Sequence, residues 1–151
     1  MIAVSLHPLL FALLLLAGFQ RSLCARQCSD CPADLKALLA ESAAGGRSHE
    51  QLAYDSFNAG VACSTLGFPC CAASHWLVAI DLKPTLAQAY QNIANVIDFG
   101  CEESRFGGFR IERSAPRALE YHRLSVVHAP NLEFKAGAMS NMFGLEIKME
   151  A

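Results

Sequence analysis

The chain carries little charge of either sign, and this excludes one broad class of partner. Only 17% of its 151 residues are charged, and the formal net charge is −2. A protein that binds nucleic acid through its phosphates needs a strongly basic patch, which this composition does not provide. At 53% hydrophobic the chain is also too apolar to remain disordered. The sequence therefore predicts one folded domain with no nucleic-acid partner.

The sequence also lacks the short motifs that mark common active sites. It has no Gly-x-Ser-x-Gly nucleophile elbow, no phosphate-binding loop and no dinucleotide-binding glycine fingerprint. Its histidines are scattered, with no carboxylate at catalytic spacing. After residue 32 helix formers dominate, and the β-branched alternation typical of strands is nearly absent. These absences predict an all-α protein that is not an enzyme and has no cofactor and no metal.

An apolar run at the N-terminus has the order of a secretory signal. Residues 9–19 are almost wholly Leu, Ala and Phe, Arg21 and Ser22 then interrupt the hydrophobicity, and the small Ala25 follows. The apolar run is about a dozen residues, short of the ~20 that cross a bilayer as a helix. We predict a signal peptide over 1–25, a secreted or secretory-lumen protein and no stable membrane span. The alternatives are an uncleaved anchor or an apolar first helix of a cytosolic protein.

Six cysteines remain after this cleavage, an even number that permits disulfides in an oxidising compartment. We expect one or two bridges of unassigned connectivity, with Cys63 packed as a small apolar residue. Cys28 and Cys31 form a Cys-x-x-Cys before a predicted helix start, which favours a structural disulfide. Thiol redox exchange and metal binding are the alternatives for this pair. For zinc, the second ligand group would be Cys70, Cys71 and His75, whose spacing is irregular.

Two segments of the chain share one pattern in one register. Each is a helical run closed by a proline, Pro84 or Pro130, and an asparagine follows eleven residues later. Small residues lie five and twelve positions before each proline. A step of 34 residues back from Asn92-Ile93-Ala94 gives Asn58-Ala59-Gly60. The small residues are Ala72 and Ala79 in the first segment and Ala118 and Ser125 in the second, and the asparagines are Asn95 and Asn141.

This register resembles the tetratricopeptide repeat, a helix-turn-helix unit of about 34 residues. The resemblance implies a short right-handed superhelical stack of antiparallel helix pairs, about two and a half repeats long. In that family a small residue at the eighth position lets the two helices of a unit approach closely. Here Gly60, Ala94 and Ser140 take that place, and the repeats cover 53–86, 87–132 and a last helix from 133, within a domain over 53–150.

Two regions depart from a simple repeat array. The second repeat is 46 residues long, because 101–115 is inserted between its helices as a charged, glycine-containing stretch typical of an exposed loop. Upstream, 26–52 holds the Cys-x-x-Cys and a predicted helix that begins near Pro32 and ends at Gly45-Gly46. This helix is expected to cap the open end of the stack.

The resemblance implies a protein-interaction scaffold whose first helices line a concave groove for an extended peptide or a helix. Asn58 and Asn92 occupy one repeat position, similar to the asparagine ladder in the repeat region of O-linked N-acetylglucosamine transferases, whose amides bind a peptide backbone. An amide both donates and accepts, although such amides can also bond only their own helix. The predicted partner-binding residues are Asn58, Gln88, Gln91, Asn92, Asn95, Asp98 and Asn141.

Alternatives to this scaffold stay open from the sequence. One is a small thiol-redox protein that uses Cys28 and Cys31. Another is the N-terminal repeat fragment of a larger enzyme such as a repeat-bearing glycosyltransferase, since so few repeats are marginal alone. The last helix, predicted over 134–149, has apolar residues without a covering partner, and a homo-oligomer through this helix is therefore also predicted. These residues are Met139, Met142, Phe143 and Ile147. The predicted groove has no Lys or Arg cluster, which disfavours acidic C-terminal tails as partners.

Overall fold

The computed structural model describes residues 35–103 and 108–150, and over these ranges the fold is all-α, as the sequence predicts. The predicted signal peptide over 1–25 and the Cys28–Cys31 pair lie outside the described residues. Within the described part, no helix is both long and apolar enough to cross a membrane. The elements are α1 (Leu35–Ala43), α2 (His49–Thr65), α3 (Pro69–Leu82), α4 (Ala87–Phe99), β1 (Cys101–Glu103), β2 (Phe109–Ile111), α5 (Ala115–Val127) and α6 (Leu132–Glu150).

The helices α2 and α3 form an antiparallel pair. Leu52, near the start of α2, shares a buried cluster with Leu82 at the end of α3. At the other end of the pair, the sulfur of Cys63 lies 3.8 Å from that of Cys71 in the first turn of α3. The two helices therefore run in opposite directions along one interface, as the sequence predicts.

The first helix of this pair begins earlier than predicted. Ser48 caps α2: its side-chain oxygen accepts from the backbone N–H of Gln51 at 3.2 Å, and the Gln51 amide oxygen accepts from the N–H of Ser48 at 2.9 Å. This reciprocal capping box satisfies two backbone donors at the helix start. The predicted boundary at residue 53 therefore falls inside α2, because the repeat register marks a position in the unit rather than the helix end.

Gly60 allows α2 and α3 to pack closely. A Cβ built on this residue would lie 2.4 Å from Nε1 of Trp76 and 2.9 Å from the carbonyl oxygen of Ala72. The indole N–H of Trp76 donates to the carbonyl of Phe57 at 3.2 Å, so the ring is fixed in place by a hydrogen bond as well as by packing. The close approach that the repeat resemblance implies at this position is therefore present between α2 and α3.

We expect Gly60→Ala to destabilise the protein by about 1–3 kcal/mol, because the added methyl group overlaps Trp76 and the backbone of α3. Gly137→Ala in α6 is the matched control: its added Cβ meets no atom within 4 Å, and alanine is the better helix former by roughly 0.5–1 kcal/mol. Urea unfolding of both variants measures the difference. Equal stability of the two variants would contradict the close approach at Gly60.

A second helix pair, α4 and α5, follows the first along the chain. The helices pack in sequence order, α3 against α4, α4 against α5 and α5 against α6. The equivalent small residues Ala94, Ala118 and Ser125 are all fully buried, as are Ala72 and Ala79 in the first pair. Ser140, at the eighth position of the third repeat, is exposed instead. The buried residues of α6 are Ala138 and Leu145.

The helix α1 ends as the sequence predicts but covers little of the stack. After Ala43 the chain turns at Gly45, whose φ of 79° lies in the left-handed region that favours glycine. Leu38 packs against the buried cluster around Leu52, while Leu39 is exposed. Within the described residues, the side chain of Leu38 therefore provides an apolar contact between α1 and the α2–α3 pair.

The prediction of an exposed loop over 101–115 is wrong for its first part. The strands β1 and β2 pair antiparallel, with Cys101 opposite Ile111 and Glu103 opposite Phe109. A disulfide joins Cys101 to Cys70 in α3. The buried carboxylate of Glu103 accepts from the backbone N–H groups of Cys70, at 2.5 Å, and Cys71, at 3.2 Å. Glu103 thus caps α3 from more than 30 residues away, which local sequence patterns do not reveal.

Candidate partner-binding groove

A groove lies between α4 and α6, with α5 at its base. Its central cavity, lined by Asn95, Asp98 and Asn141, has a volume of ≈ 230 Å³. His122 contributes from α5 and Lys148 from α6. We call this cavity and its lining the α4–α6 groove; it is also lined by Phe99, Ser140, Gly144 and Leu145.

The structure brings together three of the seven predicted partner-binding residues, Asn95, Asp98 and Asn141. Gln91 lines a neighbouring cleft between the same two helices, beside Phe134 and Gly137. The remaining residues are Asn58 and Gln88, which are exposed, and Asn92, which is half-buried; none of them is among the residues that line these two clefts of the described chain. The pair Asn58 and Asn92 therefore does not share a cavity with the other asparagines.

Two polar side chains are buried at the base of the groove without full hydrogen bonding. Asp98 is 8% exposed and pairs through Oδ2 with Nζ of Lys148 at 3.6 Å. Among the described residues, its Oδ1 has no hydrogen-bond partner, and neither has Nδ1 of His122. A buried polar atom left unpaired costs about 1–3 kcal/mol. A bound polar group that bonds these atoms would remove this cost.

Burial lowers the pKa of His122, and the nearby charge of Asp98 opposes this shift. Loss of solvent disfavours the imidazolium form because a charged ring is poorly solvated inside the protein. A neutral imidazole has one nitrogen that donates and one that accepts. His122 therefore adds both a donor and an acceptor to the buried side of the groove.

The sequence analysis did not select two buried polar residues of α5, His122 and Ser125, as candidate site residues. His122 lies eight positions before Pro130, as Trp76 lies eight positions before Pro84, and both are buried. Ser125 likewise takes the buried place of Ala79, and its hydroxyl has no hydrogen-bond partner in the described chain. A polar residue at a repeat position that is apolar in the other repeat was the available signal.

One face of α6 remains apolar and exposed. Phe143 and Ile147 lie one helical turn apart and are 48% and 69% exposed. Met142, predicted to lack cover, is half-buried and packs against the main core instead. The exposed apolar part of α6 is therefore narrower than the sequence predicts, because α5 already covers one side of the helix.

No protein-family model matches the chain, and comparison with curated proteins finds no match. The tetratricopeptide resemblance thus rests on the register of the residues themselves and stays a proposal.

The lowered pKa of His122 predicts a pH-dependent stability. In the unfolded chain His122 takes up a proton as the pH falls below its ordinary pKa of 6.5, whereas the buried ring in the folded chain resists protonation. The contribution of the neutral His122 to stability is therefore complete above pH 6.5. It is lost as the pH falls from there through the lowered pKa of the folded state. We expect His122→Gln to lose less stability than the wild type when the pH is lowered from about 7.5 to about 5.5.

Thermal unfolding across this pH range measures the effect, with His49→Gln as the control, since His49 is exposed at the start of α2. The control is expected to follow the wild type. If His122→Gln shows the wild-type loss of stability, burial of the neutral imidazole does not contribute.

Proposed function

We propose that this protein is a non-enzymatic protein-interaction scaffold of the secretory pathway, built on tetratricopeptide-like helix pairs, which holds an extended peptide in the α4–α6 groove. The observation that carries the proposal is the meeting of Asn95 and Asp98 from α4 with Asn141 from α6 around one cavity. Asn95 and Asn141 are 46 positions apart in the chain and belong to the first helices of consecutive units. Buried polar atoms without partners at the base of the same cavity support a polar ligand.

The chemistry of the groove suits a peptide main chain. The amides of Asn95 and Asn141 are exposed, one on each side, and each can donate to a carbonyl and accept from an N–H. Oδ1 of Asp98 is an acceptor for a further N–H, and the neutral ring of His122 adds a bond of either kind. Such contacts hold an extended backbone with little selection among side chains.

The charge of the groove disfavours a strongly charged partner. Lys148 is its basic residue among the lining side chains, and it is already paired with Asp98 at 3.6 Å. The lining is thus nearly neutral, and attraction through a cluster of positive charges does not apply. We expect binding to change little with salt, since the screening of charges by ions weakens only charge–charge contacts.

The secretory part of the proposal is supported by the disulfide between Cys70 and Cys101. Such bridges persist in oxidising compartments and are rare in the cytosol. The thiol-redox alternative depends on Cys28 and Cys31, which lie outside the described residues. The fragment alternative is likewise a proposal, to which no described contact adds support.

The peptide-binding proposal is tested by selection from a random peptide library displayed on phage, followed by fluorescence anisotropy with one labelled selected peptide. We expect the double variant Asn95→Ala/Asn141→Ala to bind this peptide about tenfold more weakly. Two lost hydrogen bonds of about 0.5–1.5 kcal/mol each amount to about 1–3 kcal/mol, which is roughly fivefold to a hundredfold in affinity, and tenfold lies within this range. Asn58→Ala/Gln88→Ala is the matched control, because it removes two exposed amides that do not line the groove.

The control is expected to keep the wild-type affinity. Equal weakening in both double variants, or a library that yields no peptide preferring the wild type to the groove variant, would refute the groove as the binding site.

Native mass spectrometry of the chain produced by a secretory host tests the compartment and the predicted homo-oligomer together. We expect a mature chain that starts near Arg26, because the apolar run and the small Ala25 form a signal. We expect a dimer that dissociates when Phe143→Glu/Ile147→Glu places charge on the exposed face of α6. An uncleaved chain contradicts secretion, and a monomer at micromolar concentration contradicts the homo-oligomer.

A further inference from the structure

A second cavity lies on a different face of α4 from the α4–α6 groove. It is formed by α3, α4, β2 and α5, and its volume is ≈ 290 Å³. Pockets that bind small molecules begin at roughly 300 Å³, so this cavity has room for a small ligand. We call it the α3–α5 cavity; its apolar and aromatic lining is Ala73, Leu77, Ile93, Ile97, Ile111 and Tyr121.

The bottom of the α3–α5 cavity belongs to the main hydrophobic core. Ile93 and Ile97 lie one turn apart on α4 and are 1% and 2% exposed, and Ala73 of α3 is fully buried. Leu77 and Tyr121 are half-buried and pack against the same core cluster. An apolar group that enters the cavity therefore exchanges water for contact with the core, which favours its binding.

Two arginines from different elements border this apolar lining. Arg110 belongs to β2 and Arg117 to the first turn of α5, and both are exposed. Within the described residues neither guanidinium forms an ion pair, whereas Arg47 and Arg123 do. Two arginines against one glutamate, Glu112, give the lining a formal charge of +1. The charge of the cavity therefore suits a ligand with a single negative charge.

The start of α5 makes this border more favourable for an anion. Ser114 occupies the capping position, but its side chain makes no capping hydrogen bond, and the first turn has no acidic residue. The N–H groups at a helix start carry partial positive charge, so Arg117 in that turn is unfavourably placed for the helix. A bound anion beside Arg117 would offset this repulsion.

The lining distinguishes an alkyl chain from a peptide main chain. Apart from Tyr121 and the charged residues, all of its side chains are aliphatic, with no amide or aliphatic hydroxyl among them. A peptide group that entered would lose its hydrogen bonds to water without gaining partners from these side chains, whereas an alkyl chain has none to lose. A group of the size of a water molecule takes about 30 Å³, so the cavity has room for about ten such groups.

We propose that the α3–α5 cavity binds a medium-chain fatty acid, with the alkyl chain on the apolar lining and the carboxylate bound by Arg110 and Arg117. A guanidinium can bind a carboxylate through two parallel N–H···O bonds, so this head group matches both the charge and the geometry of the arginines. The site uses none of the residues that line the α4–α6 groove and is therefore independent of the peptide-binding proposal.

Isothermal titration calorimetry with octanoate tests the site on the mature, oxidised chain. The matched ligands are octanol, which has the same alkyl chain without the charge, and butanoate, which has the charge on a shorter chain. We expect octanoate to bind at least tenfold more tightly than either, because only octanoate uses both the apolar lining and the arginines.

We expect Arg110→Gln/Arg117→Gln to weaken octanoate binding about tenfold and to leave octanol binding unchanged, because the variant removes the charge-assisted bonds alone. The matched control is Arg113→Gln/Lys135→Gln, which removes the same charge from two exposed residues that do not line the cavity. The control is expected to keep the wild-type affinity, and circular dichroism of both double variants is expected to match the wild type.

Methyl NMR locates the bound octanoate without a variant. We expect octanoate to shift the methyl signals of Leu77, Ile93 and Ile97 and to leave that of Ile147, which is exposed on α6, in place. Absence of octanoate binding, equal affinity for octanol, unchanged affinity in Arg110→Gln/Arg117→Gln, or shifts confined to α6 would overturn the proposal. Tighter binding of N-acetyl-leucyl-leucine would also overturn it and would assign the cavity to a peptide carboxylate.

Discussion

The helices α2 and α3 can pack as closely as they do because Gly60 presents bare backbone to Trp76 and to the carbonyl of Ala72. This contact also sets the position of groups on either side of it. The indole of Trp76 reaches the carbonyl of Phe57, and one turn further along α2 the sulfur of Cys63 comes within 3.8 Å of Cys71. The contact between these two sulfurs therefore belongs to the same closely packed interface that Gly60 allows.

The hairpin inserted between α4 and α5 ties the first helix pair to the second. Its first strand is bonded to α3 through the Cys70–Cys101 disulfide, and Glu103 caps the start of the same helix. Beyond the second strand, the N–H of Ser114 donates to the carbonyl of Ile97 in α4 at 3.0 Å. The insertion thus attaches to both pairs just before α5 begins, and α5 carries His122 to the base of the groove.

The two helix pairs fill equivalent buried positions with different chemistry. In the first pair the positions hold Trp76 and Ala79, which complete an apolar core. In the second they hold His122 and Ser125, whose buried polar atoms lack partners in the described chain. Packing alone does not account for this difference, because an apolar residue at either place would avoid the cost of an unpaired polar atom. Of the two, His122 lines the α4–α6 groove, which agrees with the polar ligand proposed for it.

The sequence by itself determined the helical class, the antiparallel pairing of α2 with α3 and the close approach at Gly60. These follow from local propensity and from the spacing of small residues, both of which are properties of neighbouring positions in the chain. It did not determine that Glu103 caps α3, that Cys101 pairs with Cys70, or that Cys63 lies against Cys71 and His75. It also placed seven polar residues in one groove, of which Asn95, Asp98 and Asn141 share a cavity while Asn58 lies on another helix and is exposed. Only the tertiary structure decided these points, because they depend on the distance and orientation between helices, which the order of residues along one helix does not specify.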